Sequence, residues 1–227
     1  MLTVSMTRWE KLLSGIYLIL QLMLLPGLLA AANRQLPSPL GAAQLNFVFF
    51  SLNFICILAV CHRFLWGNLL VILRQPGRFL GAVALGFVGY WAANLAMSQL
   101  LFALSPDFAN VNDRSIALMV EADLPLMAAG TILLVPTVEE TLYRGLLFGS
   151  LYRRSRAAAY VLSTLAFCAI HVVGYLGVYS GDILLLCFLQ YIPAGLCLSW
   201  AYAQADSVFA PILIHTLINA IGICAMR

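Results

Sequence analysis

The chain is a succession of apolar runs, each close to the length that crosses a bilayer, and this leaves it few folds to choose from. The runs cover about residues 12–32, 45–61, 80–104, 124–152, 157–176, 183–203 and 208–226. About 20 helical residues span the hydrocarbon layer, where every backbone polar group must be satisfied internally. The expected fold is therefore an all-α polytopic transmembrane helical bundle of about seven spans. Composition agrees: 63% of the 227 residues are hydrophobic and only 9% are charged, whereas a soluble domain carries about 25% charged residues. The run Ala30-Ala31-Ala32 loosely resembles a signal-peptidase site. The apolar stretch before it is longer than a usual signal core, so a retained first span is expected.

Charge and cysteine usage narrow the function classes. The net charge of +3 comes with no basic block, so nothing points to a nucleic-acid partner. Membrane lipids are the expected surroundings. The cysteines Cys56, Cys61, Cys168, Cys187, Cys197 and Cys224 form no C-x-x-C pair. They read as small buried hydrophobes and not as a disulfide or zinc framework. Residues 62–79 place Phe64, Leu65 and Trp66 between Arg63, Arg74 and Arg78, a pattern that predicts a short helix lying in the interface. Residues 105–123 form an acidic connection. With the N-terminus cytoplasmic, Arg8, Lys11, Arg63, Arg74, Arg78, Arg153, Arg154 and Arg156 fall on the inner side. Only Arg34, Arg114 and Arg227 fall outside. This satisfies the positive-inside rule, and seven spans then put the C-terminus outside.

Glu139, Glu140 and Arg144 interrupt the fourth run at membrane depth, where ionisable groups are costly and usually face a protein interior or a cavity. Two later runs carry His171, and His215 with Asn219. Counted along helices at 1.5 Å per residue, Glu139, His171 and Asn219 lie roughly 20 Å from the proposed cytoplasmic ends, and His215 roughly 13 Å. Four polar residues on three helices thus fall in one slab and can converge on one cavity. Glu140 and Arg144, at i and i+4, can pair on one face; a purely structural ion pair is the competing reading. Glu139 is rotated by about 100° from Glu140 and has no evident local partner. Phe167 stands one turn before His171, where its ring can wall the cavity. Pro136 predicts a break or kink in the fourth span, with a helix restarting at Thr137 through a Thr137-x-x-Glu140 capping box.

Glu139-Glu140-x-x-x-Arg144, Phe167-x-x-x-His171 and His215-x-x-x-Asn219 occur in the order and spacing of the CAAX-protease and bacteriocin-processing family. The chain resembles these type II CAAX prenyl endopeptidase-like intramembrane proteases over about residues 124–222. The resemblance implies one integral membrane domain, with N-terminal helices and loops over 1–123 and a catalytic core over 124–227. It implies that Glu139 is the general base, that His171 helps to hold the water, and that His215 and Asn219 stabilise the oxyanion. Glu140, Arg144 and Phe167 are then supporting residues. It also implies a membrane-anchored or lipid-modified peptide or protein substrate and a place in the bacterial inner membrane. A carboxylate taken out of water holds a proton more readily, so it can accept one and return it. No cofactor is the preferred expectation. The alternatives are zinc held by Glu139, His171 and His215, or a proton-coupled transporter built on the same groups.

Overall fold

The computed structural model describes residues 2–226, and Arg227, expected on the outer side, lies outside them. The described residues form helices and no named strand. These are α1 (Arg8–Met23), α2 (Leu25–Asn33), α3 (Ala42–Arg74), α4 (Pro76–Leu104) and α5 (Val111–Ala122), followed by α6 (Leu124–Ala128), α7 (Val135–Glu140), α8 (Gly149–Leu151), α9 (Arg156–Val173), α10 (Gly181–Gln190), α11 (Ile192–Ala205) and α12 (Phe209–Ala225). Two π-helical segments, π1 (Ala129–Leu134) and π2 (Thr141–Phe148), join α6 to α7 and α7 to α8. By length and composition, α3, α4, α9 and α10 with α11 can each cross a membrane; α1 and α2, bent by 49°, make a fifth if they count as one span. The expected seven goes beyond these, because the fourth run is divided by its π segments and α12 has only 17 residues.

One local expectation is met in part and one is corrected. Residues 62–74 form a short helix that meets the longer first part of α3 at a kink at Cys61. It ends at Arg74, and residues 76–79 belong to α4. One face is packed inside, with Phe64, Leu65, Asn68 and Val71 buried, while Trp66 and Leu73 are exposed. The kink is held from outside the helix, since the Phe64 amide donates to Glu10 Oε1 at 2.9 Å. The chain is not broken at Pro136. Leu134 and Val135 keep right-handed helical angles. The wide π1 turn, closed by the Val135 amide on the Gly130 carbonyl, ends where a proline ring would press on the carbonyl four residues back. Thr137 does not cap a helix; its hydroxyl donates to the Leu133 carbonyl at 3.3 Å.

The core sits where α4, α9, α11, α12 and the π2 segment meet. Close approach of α9 and α11 depends on Gly195, where a Cβ would lie 2.6 Å from Thr164 Cγ2. The same residue offers its carbonyl to Arg144 Nη2 at 3.2 Å. Gly195→Ala is expected to cost about 1–3 kcal/mol by overpacking, read as a lowered unfolding temperature of the detergent-solubilised protein.

Candidate active site

The site is built around two adjacent carboxylates that point different ways. Glu140 is fully buried, and its Oε1 accepts from Arg144 Nη1 at 3.0 Å and from His215 Nδ1 at 2.8 Å. Arg144, also fully buried, completes its surroundings with the Gly195 carbonyl of α11 and with the Phe167 ring of α9, which lies 4.3 Å below its Cζ. One ion pair thus ties the α7–π2 turn to α9, α11 and α12. A guanidinium over an aromatic face gains further electrostatic attraction once desolvated.

Glu139 takes no part in this pair. It faces a cavity of about 530 Å³ that is also lined by His171, His215 and Asn219. Its Oε2 is buried without a hydrogen-bond partner among the described residues. The four polar residues singled out in the sequence therefore do line one cavity, from the α7, α9 and α12 helices. A second, mostly apolar cavity of about 250 Å³ reaches Glu139 from the side of α1 and α2, past Leu22, Pro26 and Val138.

Hydrogen bonds fix how the ring nitrogens are used. His171 Nδ1 lies 2.8 Å from the Phe167 carbonyl. A carbonyl only accepts, so Nδ1 carries the proton, and in the neutral ring Nε2 keeps its lone pair. His215 Nδ1 likewise donates to Glu140. Its Nε2 can donate only when both nitrogens are protonated, and the Glu140 carboxylate is the counter-charge for that form. Asn219 gives one Nδ2 proton to the Thr131 carbonyl at 2.8 Å and keeps a second donor.

Residues outside the three motifs complete the walls. Tyr191 stacks on His171 with centroids 4.0 Å apart. Its hydroxyl accepts from Asn112 Nδ2 and donates to Asp113 Oδ1, both at 3.0 Å. Burial pushes the Asp113 carboxyl above its ordinary range, and the Tyr191 hydroxyl opposes that shift. No local sequence signal marks Tyr191 or Asp113, since nearly eighty residues separate them. Among the described residues, no group of three or more His, Cys, Asp or Glu side chains is arranged to hold a metal ion. Glu139, His171 and His215 share a cavity without converging as a ligand set.

Residues 121–221 match the family model of the type II CAAX prenyl endopeptidase Rce1-like proteins. The match covers all three motifs and bears out the family resemblance over that segment, which is of a protease family. A search of curated proteins and a search of solved structures each gave no match.

The buried pair should behave as a unit. Arg144→Met alone leaves the buried Glu140 with His215 as its one remaining partner among the described residues and is expected to cost about 3–5 kcal/mol. The Glu140→Gln/Arg144→Met double variant should recover a large part of that loss in thermal unfolding.

Proposed function

We propose that this protein is an intramembrane endopeptidase in which Glu139 activates water to hydrolyse a peptide bond of a membrane-anchored or lipid-modified substrate. The observation that carries this reading is the Glu139 carboxylate: it is partly buried, one of its oxygens is unpartnered, and it shares a cavity with His171, His215 and Asn219. A water between Glu139 and the His171 Nε2 lone pair gives its proton to the carboxylate as its oxygen attacks the carbonyl carbon. The resulting oxyanion is met by the free Asn219 N–H and by His215 Nε2–H, backed by Glu140. Glu139 then returns the proton to the leaving amine as the C–N bond breaks. Every proton in this scheme is held by protein groups and water, and no metal is used. The apolar cavity on the α1–α2 side of Glu139 supports a substrate with a lipid or apolar segment.

Glu139→Gln is expected to lower cleavage of a membrane-anchored peptide by about 10²–10⁴-fold, with an unchanged unfolding profile. Activity should persist in chelator, and elemental analysis of the purified protein should find far less than one metal per chain. Wild-type turnover by the Glu139→Gln protein would overturn the mechanism.

For orientation, the reading is seven crossings of a bacterial inner membrane with the N-terminus cytoplasmic. Support comes from the way one end of the bundle is tied together. Arg153 Nη2 donates to the Leu2 carbonyl at 3.3 Å, Arg78 Nε to the Gln204 carbonyl, and the Thr3 amide and hydroxyl both donate to Asp206. The arginine-bearing turns around 74–78 and 152–156 therefore share one end with the N-terminus, as positive-inside orientation requires. On this topology α5, and with it the cavity wall it supplies, lies on the outer side. A C-terminal alkaline phosphatase fusion should be active and a C-terminal green fluorescent protein fusion dark; the reverse pair would invert the orientation.

A further inference from the structure

Asn219 is held by a carbonyl that ordinary helix geometry would not leave free. Its Nδ2 donates to the Thr131 carbonyl at 2.8 Å, reaching from α12 to π1. In an α-helix that carbonyl would accept from the Val135 amide, four residues on. In π1 the Val135 amide goes instead to the Gly130 carbonyl, five residues back. The same wide register would offer the Thr131 carbonyl the amide of residue 136. That residue is proline and has no N–H to give. Both backbone donors within reach therefore pass over the carbonyl of Thr131, a buried residue, and a buried carbonyl without a donor is costly. The Asn219 side chain supplies the donor from another helix. Because the two N–H bonds of an amide share one plane, holding the first sets the direction of the second. Asn219 lines the same cavity as Glu139, His171 and His215.

We infer that Pro136 is a positioning residue of this site: by withholding an N–H from the Thr131 carbonyl it leaves that carbonyl to Asn219, and so orients the Asn219 amide for the oxyanion. The inference rests on the peptidase reading, in which the second Asn219 N–H meets the oxyanion. The proline ring brings no reacting group of its own, and its effect passes through Thr131 and Asn219. Pro136→Ala supplies a backbone donor in either register: the new amide at 136 if the turn stays wide, or the Val135 amide if it tightens to α. Asn219 then competes for an occupied carbonyl, and its amide turns. Alanine is also far better than proline inside a helix. Stability and turnover are therefore expected to move in opposite directions.

The test uses the full chain in lipid nanodiscs, with isotope-labelled asparagine side chains read by NMR. The Asn219 amide pair is identified as the one lost in Asn219→Ala. In Pro136→Ala the hydrogen-bonded proton of that pair should move upfield, and the unfolding temperature should hold or rise. Cleavage of a membrane-anchored peptide should fall about 10–10²-fold in kcat, with KM unchanged, as for a contact made only in the transition state. In the Asn219→Ala background, Pro136→Ala should cost nothing further, since both changes act on one donor. Additive losses would overturn the inference and route the effect of Pro136 through the carboxylates of α7. An Asn219 resonance that stays in place, an unchanged kcat, or a lowered unfolding temperature would each overturn it as well. A shifted resonance with no cleavage by any form of the protein, wild type included, would overturn the peptidase reading and leave the link from Pro136 to Asn219 standing.

Discussion

Everything in this bundle is arranged around one guanidinium taken out of water. Arg144 is fully enclosed, and an enclosed charge must be matched by nearby partners; its Nη1 and Nη2 have them, while its Nε has none among the described residues. Glu140 supplies the counter-charge from one turn earlier. The Gly195 carbonyl and the Phe167 ring come from helices well apart in the chain. Satisfying Arg144 therefore brings α9 and α11 against the α7–π2 turn, and His215 on α12 joins through Glu140. Glu139 is adjacent to Glu140 on a helix, so fixing one carboxylate inward turns the other to the cavity. The charge pair thus positions the site without entering it.

The two ends of the bundle are held in different ways. At the arginine-bearing end, backbone amides and carbonyls are stitched directly to side chains: Phe64 to Glu10, Val208 to Asn68, Thr3 to Asp206. Asp206 itself adopts a left-handed backbone to close the α11–α12 turn. At the other end, α5 meets the bundle through side-chain hydrogen bonds: Asn110 donates to Gln190, Asn112 to the Tyr191 hydroxyl, and that hydroxyl to Asp113. Backbone groups tied at a kink or a turn have few alternative partners. Amide and hydroxyl side chains exchange partners with water readily.

The helical class, the runs of membrane-crossing length and the three motifs were legible because each is a local pattern. The convergence of Glu139, His171, His215 and Asn219 on one cavity was legible too, through the counting of helical rise from helix ends. What the sequence hid was of two kinds. Pro136 reads as a helix breaker by local rules, but a π turn absorbs it, and π turns have no distinctive composition. Residues 62–74 read as a short separate helix because arginines flank them, and the kink at Cys61 agrees; what the local pattern did not show is that Phe64 and Leu65 face the core. Tyr191 and Asp113 were invisible for another reason. Their contact is set by how α5 folds back, which neither segment encodes alone.

The π segments have a consequence for where the two carboxylates point. Each inserts extra residues into the helical count, and together they bracket the six residues of α7. The angular phase of that short piece is thereby offset from the phases of α6 and α8. The outward-facing residues before and after it need not share one periodicity with the carboxylate-bearing turn. Glu139 and Glu140 take bearings that an uninterrupted α-helical count through this span would not give them.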